Sequence, residues 1–444
     1  MHSSFLRLAS AGLMIFVSAR SNVAQTQCSA TLSVATDVAN ELQSKYYDPS
    51  SGLYNGGSTW TDANAVEDLH DLMLAANVNT WAIAGNTSHI GRAALDSSTD
   101  WTSFIAGSYD DAQWIILGLW KIADYKSHVG QDAGPFNDAA SKVYDIIAGQ
   151  WDTTNLWWSS DHTYKNAITN ELFLLTSAEG YLRNGNQDYL KNAQATWDWL
   201  KNSGMRNSQG LWNDGLDFNT CQNNNQTTWT YNQGVIASGL GALYTTTKDQ
   251  TLLQEAETTL DATLKYLTVN QILKESCDDA AGSSSSCGPD GQLFKACFFL
   301  GAIILTIPLK HIRGHLILGT LDQACAVLPR LGRSAAQEKY SSALGQQASG
   351  VYHYGKNSVN DVGTIWYAPN HGGSNFTPKS STSGLEALVA AAKHAFNFVM
   401  WFMPSVLLSS RLGLAGLFIA FPAVYVIPYH VAALRTLLIH ITVF

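Results

Sequence analysis

The stretch Ser108–Tyr125, SYDDAQWIILGLWKIADY, places two adjacent acids, Asp110 and Asp111, at the start of an apolar, tryptophan-rich helix. Helical periodicity recurs along the whole chain, and proline, which interrupts helices, occurs only ten times. The pattern predicts helices over residues 29–46, 62–77, 109–126, 135–150, 165–184, 187–203, 230–246 and 249–272, and further ones over 292–312, 315–328, 334–348 and 383–395.

The links between these helices alternate in character. Long links rich in Gly, Asn, Asp and Trp alternate with short polar ones such as RNGNQD (183–188) and TTTKDQ (245–250). This alternation is typical of antiparallel helix pairs with one inner and one outer member. Six such pairs close into an all-α (α/α)6 toroid, with the long links gathered at one rim as a polar, aromatic cleft.

Composition narrows the class of partner. The chain has 444 residues, a net charge of −9 and 14 tryptophans, and it has no basic patch interleaved with aromatic residues. These features exclude a nucleic-acid partner, whose phosphates demand Lys and Arg. Most of the tryptophans are expected in the core, but Trp beside Asn and Asp also suits sugars, whose C–H faces stack on aromatic rings.

Several features predict a secreted protein. Residues 1–24 have an apolar run, Leu8–Val17, after a single basic residue and are interpreted as a cleaved signal peptide. We favour a disulfide between Cys277 and Cys287, which flank a short polar loop. No spacing indicates a metal site or a cofactor. The predicted glycosylation sites are Asn86, Asn225 and Asn375.

Two segments are far more apolar than the rest of the chain. The first lies within the predicted domain, residues 25–395, and the second follows it. Residues 296–332 are interpreted as an aberrant insertion. Residues 396–444 form a hydrophobic tail, an irregular C-terminal extension of the domain. Two interpretations are kept for it, a membrane anchor and a gene-model artefact. An anchor would associate the protein with a membrane. We expect a monomer.

The acid pair admits two interpretations. Ser108 three residues before Asp111 suits a capping box, and acids in a first turn are favoured by the helix dipole. Alternatively, adjacent acids that are partly buried cannot both ionise freely. One then keeps its proton while the other is charged, which is the division of labour that glycoside hydrolysis requires.

Two other blocks carry candidate sugar-binding side chains. WWSSDHTYKNAITNELF (157–173) has polar residues at the start of a further apolar helix. LWNDGLDFNTCQNNNQTTWTYNQGV (211–235) sets Asp214, Asp217, Trp229, Tyr231 and Asn232 around the start of another. Helix caps and a surface loop are the structural alternatives. The predicted substrate-binding residues are Tyr109, Trp158, Asn166, Asn170, Glu171, Asp217, Tyr231 and Asn232.

Taken in order, these three blocks resemble the family 76 glycoside hydrolases, the endo-α-1,6-mannanases, together with fungal cell-wall proteins of the same family. The resemblance covers roughly residues 31–295. It implies an (α/α)6 barrel, α-1,6-linked mannan or a mannose-containing glycan as partner, and retaining cleavage or transfer through a covalent mannosyl-enzyme. The family's paired acids fall on Asp110, as nucleophile, and Asp111, as general acid/base.

The leading hypothesis is therefore an endo-acting glycosidase or transglycosidase of fungal cell-wall mannan, secreted or at the outer face of the plasma membrane. One alternative is a mannan-binding or structural wall protein that has kept the cleft and lost turnover. In a third interpretation the apolar tail determines where the protein acts, and the protein is a membrane component.

Overall fold

The computed structural model describes residues 29–152, 155–282, 287–296, 335–369 and 372–394. Two short hairpins occur among them, β1 (Tyr47–Asp48) with β2 (Leu53–Tyr54) and β3 (Thr268–Val269) with β4 (Ile272–Leu273). A 3-10 turn spans Asp290–Gln292 and a π turn spans Val351–Gly355. The helices are α1 (29–46), α2 (Thr59–Ala76), α3 (Ala84–Thr87), α4 (His89–Leu95), α5 (Trp101–Phe104), α6 (Tyr109–His128), α7 (Gly134–Ala148), α8 (Ala167–Asn184), α9 (Gln187–Asn202), α10 (Thr230–Thr247), α11 (Gln250–Tyr266), α12 (Ala335–Gly350) and α13 (Pro378–His394).

Five of the described helices, α2, α6, α8, α10 and α13, form the inner layer. Helix α2 packs against α6, α6 against α8, α8 against α10, and α13 against α2. These helices are buried around most of their circumference, and in α10 every residue from Thr230 to Thr245 is buried. A helix without a solvent-facing side must be enclosed by other elements, which is what the inner position of a toroid provides.

The outer helices are amphipathic. In α9 the buried residues Tyr189, Ala193, Trp197 and Leu200 recur at spacings of three and four, the period of a single helix face. Helix α7 covers α6, α9 covers α8, and α11 covers α10. The predicted (α/α)6 toroid of paired inner and outer helices is confirmed.

The inner helices run in the same direction. Near their starts, Asn232 of α10 donates to the Glu171 carboxyl of α8 at 3.2 Å. Near their ends, Arg183 of α8 donates both of its terminal nitrogens to Asp124 of α6 at 2.8 Å. Neighbouring helices that meet start to start and end to end run parallel, so the N-termini of the inner helices lie at one rim. Their unpaired backbone N–H groups favour negative charge there.

Two details differ from the predictions. The helix predicted over 249–272 ends at Tyr266, because Asn270 and Gln271 both take positive φ angles, 52° and 66°, and form the two-residue turn of hairpin β3–β4. The link between α2 and α6, predicted as a long loop, contains the short helices α3, α4 and α5. Asp100 caps α5 by accepting from the backbone of Thr102 and Ser103.

The disulfide loop positions the start of α10. Cys277 and Cys287, the pair favoured from the sequence, are bonded to each other. The buried Glu275 carboxylate, two residues before this loop, accepts from the backbone N–H of Thr230 at 3.2 Å and from its hydroxyl. A carboxylate distant in sequence therefore serves as the N-terminal cap that Trp229 cannot provide.

Several predictions concern residues outside the described ranges. These are the signal peptide at 1–24, most of the helix at 292–312, the helix at 315–328, the insertion at 296–332 and the tail at 396–444. Within the described ranges, no helix combines the length and the apolarity that crossing a bilayer would require.

Candidate active site

Asp110 and Asp111 lie in the first turn of α6, at the rim where the inner helices begin. Ser108 is the N-cap residue, but its side chain makes no capping bond to the backbone. Its hydroxyl donates instead to Asp110 Oδ1 at 3.0 Å. The capping-box interpretation is therefore wrong, because the Ser108 hydroxyl binds the Asp110 carboxylate and not the backbone N–H groups at the start of the helix.

A loop from the second block closes over this turn. The indole N–H of Trp158 donates to Asp110 Oδ2 at 3.2 Å, while 42% of the Trp158 residue surface stays exposed. The backbone fixes the loop, since Tyr109 N donates to Trp158 O at 3.0 Å and Ser160 N donates to Gly107 O at 2.9 Å. Gly107 has a φ of +78°, and a Cβ there would lie 2.6 Å from Ser160 Oγ, so glycine is required.

The two acids differ in their electrostatic surroundings. Burial raises the pKa of Asp110 to about 6, against the hydrogen bonds from Ser108, from the backbone of Asp110 and Asp111, and from Trp158, which favour the charged form. Burial and the negative charges of Asp110 and Asp290 raise the pKa of Asp111 to about 8, against the hydrogen bond from Ser108 and the positive charge of Lys379, which lower it. Near neutral pH the arrangement is an ionised Asp110 beside a protonated Asp111.

Three predicted sugar-binding residues have a polar group engaged by the fold. The Tyr109 hydroxyl donates to Gln150 Oε1 at 2.9 Å. Asn166 is the N-cap of α8 and accepts from Thr169 N at 3.3 Å. Asn170 accepts from Leu156 N at 3.1 Å and donates to Leu156 O at 3.1 Å, which fixes the loop that carries Trp158. These bonds stabilise the rim, and the sugar-binding roles of the three residues stay predictions.

Asp217 also has a carboxylate engaged by the fold, and its sugar-binding role stays a prediction. It is exposed, and its Oδ1 accepts from the backbone N–H groups of Asn219 and Thr220 at 3.0 and 2.9 Å, which closes its own turn. The pattern that suggested a ligand contact is that of an Asx turn.

Asp214 was noted in the same block but was not among the predicted substrate-binding residues. Its carboxylate accepts from the Tyr164 hydroxyl at 2.5 Å and from the Tyr231 hydroxyl at 3.3 Å. Tyr231 also stacks on Phe294, with ring centroids 4.1 Å apart. Gly215 was the sequence feature that could have indicated the role of Asp214. A Cβ at Gly215 would lie 2.6 Å from the Tyr164 hydroxyl oxygen, so only glycine lets this segment approach Tyr164 closely.

Glu171 and Asn232 lie deeper, between α8 and α10, and neither is exposed. Burial raises the pKa of Glu171 well above its ordinary value, because it disfavours the charged carboxylate. Asn232 Oδ1 and Glu171 Oε1 have no hydrogen-bond partner among the described residues. The structure brings these two predicted residues together, and both are fully buried.

The described residues contain one cluster of potential metal ligands, namely Cys277, Asp278 and Cys287. Its sulfurs form the disulfide, and Asp278 accepts from the buried Lys295 ammonium at 2.6 Å. The cluster therefore offers no open ligand set. Of the predicted glycosylation sites, Asn86 and Asn225 are exposed and Asn375 is half-buried.

Curated relatives of the chain are fungal. It is 28% identical over 186 residues to the mannan endo-1,6-alpha-mannosidase DCW1 of Candida albicans, a match that covers 38% of this chain and 40% of the relative. It is 25% identical over 298 residues to the protein of the same name from Eremothecium gossypii, covering 63% and 65%. The matches thus span about half of these relatives' length.

Solved structures share the fold. The α-1,6-mannanase GH76A of Salegentibacter sp. HEL1_6 aligns over 82% of this chain and 99% of its own, with a TM-score of 0.64 and 18% identity. Dfg5 from Chaetomium thermophilum, solved in complex with glucosamine, aligns over 82% and 90%, with a TM-score of 0.61 and 15% identity. At these identities the likeness establishes the toroid alone.

A sequence model of glycosyl hydrolase family 76 matches residues 28–311, which include the acid pair, the Trp158 loop and the start of α10. Because this match extends over more than half of the chain and agrees with the fold, the protein belongs to glycosyl hydrolase family 76.

Proposed function

We propose that the protein is a retaining, endo-acting glycoside hydrolase of α-1,6-linked mannan. The observation that carries the proposal is the pair Asp110 and Asp111, adjacent in one helical turn at the rim, with Asp110 held by Ser108 and Trp158. Burial raises the pKa of both acids, to about 6 for Asp110 and to about 8 for Asp111. An ionised carboxylate beside a protonated carboxyl is what the two roles of a retaining glycosidase require.

In this mechanism Asp110 is the nucleophile. Its oxygens accept from Ser108 and Trp158, which hold the carboxylate and favour its charged form. It attacks the anomeric carbon of a mannosyl unit and forms a covalent glycosyl-enzyme, while the bond to the leaving oxygen breaks. The exposed ring of Trp158 offers a face on which a sugar can stack beside the reacting carbon.

Asp111 is the general acid and then the general base. Its raised pKa keeps the proton that the departing sugar oxygen must receive. The resulting carboxylate then takes a proton from the incoming acceptor, which displaces Asp110 from the mannosyl carbon. With water as acceptor the reaction is hydrolysis, and with another sugar hydroxyl it is transfer.

The choice of substrate rests on relatives. The fungal relatives are named mannan endo-1,6-alpha-mannosidases. A Salegentibacter mannanase variant with two consecutive aspartates changed to asparagine is described as inactive and was solved with alpha-1,6-mannotriose. An adjacent aspartate pair is also the centre of the mechanism proposed for this chain.

The same proposal extends to location. The names of the fungal relatives and the Cys277–Cys287 disulfide, which suits an oxidising compartment, support a place in the cell wall or outside the cell.

The test compares wild type, Asp110→Asn and Asp111→Asn on an α-1,6-mannooligosaccharide, with products followed by chromatography. We expect both variants to lose at least about 1,000-fold in kcat, since each removes one of two essential roles. Asp138→Asn, an exposed aspartate on α7, is the matched control and should retain full activity.

Three outcomes would count against the proposal. Full activity in either active-site variant contradicts the assigned roles, and a product of inverted anomeric configuration in the proton NMR spectrum contradicts the retaining mechanism. Binding by wild type without any product over long incubation favours the mannan-binding alternative.

A further inference from the structure

A buried carboxyl group joins two inner helices near their starts. Glu171 of α8 and Asn232 of α10 are both 0% exposed, and the Asn232 amide donates to Glu171 Oε2 at 3.2 Å. This bond uses one oxygen of the acid and the nitrogen of the amide. The two remaining atoms, Glu171 Oε1 and Asn232 Oδ1, have no hydrogen-bond partner in the part of the chain that the structure describes.

Both of these remaining atoms are oxygens, so neither can donate to the other while the carboxyl group is ionised. A buried polar atom without a partner is destabilising, and a buried negative charge is more so. One proton on Glu171 Oε1 removes both costs, because it neutralises the acid and supplies the donor that Asn232 Oδ1 lacks. The terminal torsions of Glu and Asn are soft, so the two oxygens can turn toward each other.

The packing around the pair is dry. One helical turn beyond Glu171, Leu174 lies so close to α10 that a Cβ at Gly239 would be 2.7 Å from Leu174 Cγ. The two helices are therefore too close at this level for water to lie between them, and the carboxyl group is cut off from hydration on that side.

The titratable groups next to the pair also disfavour a charged Glu171. Burial raises the pKa of Glu171 well above its ordinary value, and the negative charge of Asp214, in the loop before α10, raises it further. Burial likewise raises the pKa of Tyr231, the residue before Asn232, so its hydroxyl is neutral at physiological pH.

The pair lies between two parts of the rim. On the α8 side, Asn170 precedes Glu171 and binds the backbone of the loop that carries Trp158. On the α10 side, Tyr231 precedes Asn232. A connection between α8 and α10 at this level therefore fixes the Trp158 loop relative to the start of α10.

We propose that Glu171 keeps a proton in the folded protein at neutral pH and donates it to Asn232 Oδ1, so that the two side chains form a neutral clamp with two hydrogen bonds between α8 and α10. Loss of this proton would set two acceptor oxygens against each other, so the clamp opens when Glu171 ionises at alkaline pH. The clamp goes beyond the proposed function, because it takes no part in the reaction assigned to Asp110 and Asp111.

Carbon NMR of the full chain, labelled at its glutamate carboxyl groups, tests for the proton. The Glu171 signal is assigned by its loss in Glu171→Gln and in Glu171→Asp. At pH 7 it should have the chemical shift of a protonated carboxyl group, although an ordinary glutamate is ionised at that pH. An ionised Glu171 at pH 7, which would result if a bound water or cation satisfied the two oxygens, would overturn the proposal.

Thermal unfolding measures the effect of the same proton on stability. Glutamine keeps the shape of Glu171, and its amide can donate to Asn232 Oδ1 without taking up a proton on folding. Above about pH 4.3 the unfolded wild type releases the Glu171 proton that the folded chain retains. The melting temperature of Glu171→Gln should therefore rise relative to that of wild type as the pH is raised from about 5 to about 8.

Two further variants complete the comparison. Glu171→Leu leaves the Asn232 amide without either bond and should melt several degrees below Glu171→Gln. Glu41→Gln, at a partly exposed position of α1, is the matched control and should follow wild type across the pH range. A difference between Glu171→Gln and wild type that does not change with pH would overturn the proposal. Neither measurement uses mannan, so a wild type that is inactive on mannan refutes the proposed function and leaves this test intact.

Discussion

At the scale of residues, the two acids of α6 are distinguished by their neighbours rather than by their place in the chain. Both acids interact with the Ser108 hydroxyl, but Asp110 also accepts from the Trp158 indole N–H, whereas the negative charges of Asp110 and Asp290 raise the pKa of Asp111. Bonds from neutral donors favour a carboxylate, and nearby negative charge disfavours one. Roles that are indistinguishable in the dipeptide are separated by side chains up to about 180 residues away.

The role of Trp158 can be tested by Trp158→Phe, which keeps an aromatic ring and removes the indole N–H. Without that bond the pKa of Asp110 rises, and the acidic limb of kcat/KM should move up by about half a pH unit or more. The loss of activity should therefore be larger at acidic than at neutral pH.

Trp157→Phe is the matched control, because Trp157 also donates its indole N–H to an aspartate, Asp152, at 2.8 Å. That acid is outside the catalytic pair, so the acidic limb should stay in place. Equal displacement in the two variants would refute the assignment of Trp158 to Asp110.

At the scale of elements, the inner helices share a charged layer far from the rim. Asp71 of α2 accepts from Lys121 of α6 at 3.0 Å and from Lys393 of α13 at 3.3 Å. Other carboxyls of the same helices lie close to these groups, and burial raises their pKa values, to about 8 for Glu67 and to about 7 for Glu386. The layer therefore holds protons at neutral pH that the unfolded chain would release.

This layer predicts that stability falls as pH rises. Between about pH 5 and pH 8 the folded chain binds more protons than the unfolded chain, so the free energy of unfolding decreases with pH. Asp71, whose pKa is lowered to about 2, acts in the opposite sense and its contribution is lost only in stronger acid. We expect urea denaturation to give a free energy of unfolding a few kcal/mol larger near pH 5 than near pH 8.

Glu67→Gln should make this dependence shallower, because it removes one of the protons taken up on folding. Asp138→Asn, on the exposed face of α7, should leave the slope unchanged. A free energy of unfolding that rises from pH 5 to pH 8 would contradict the protonated layer.

Element by element, the prediction from sequence succeeded where the signal is local. The apolar periodicity of α7 and α9 is visible in short windows, and the bounds of both helices were predicted to within about two residues. Hairpin β3–β4 was missed because its turn is made by Asn270 and Gln271, without the glycine that usually marks one.

At the site, the sequence was least informative where the partner of a side chain is remote in sequence. Asn166 and Asn170 were expected to face a sugar, and their hydrogen bonds to the backbone of the same rim were not foreseen. The place of Asp214 between its two hydrogen-bond donors was not foreseen either, because Tyr164 and Tyr231 lie in separate blocks. Spacing places an acid on an element, but only the assembled toroid decides which groups surround it.

At the scale of the whole molecule, the toroid brings distant segments to one rim. The Asp110–Asp111 turn, the Trp158 loop, Asp290 and the start of α13 belong to different parts of the chain. Parallel inner helices direct their N-termini toward this rim, which favours a negatively charged carboxylate there. The catalysis that we propose for the acid pair therefore depends on most of the ring.

In the proposed mechanism Asp110 attacks the anomeric carbon of a mannosyl unit. This step can be tested by mass spectrometry of the protein after incubation with a fluorinated mannosyl fluoride, which forms the glycosyl-enzyme readily and releases it slowly. We expect one added fluoromannosyl group, located on Asp110 after proteolysis and absent in Asp110→Asn. Turnover of α-1,6-mannan without any such adduct, or an adduct on another residue, would contradict it.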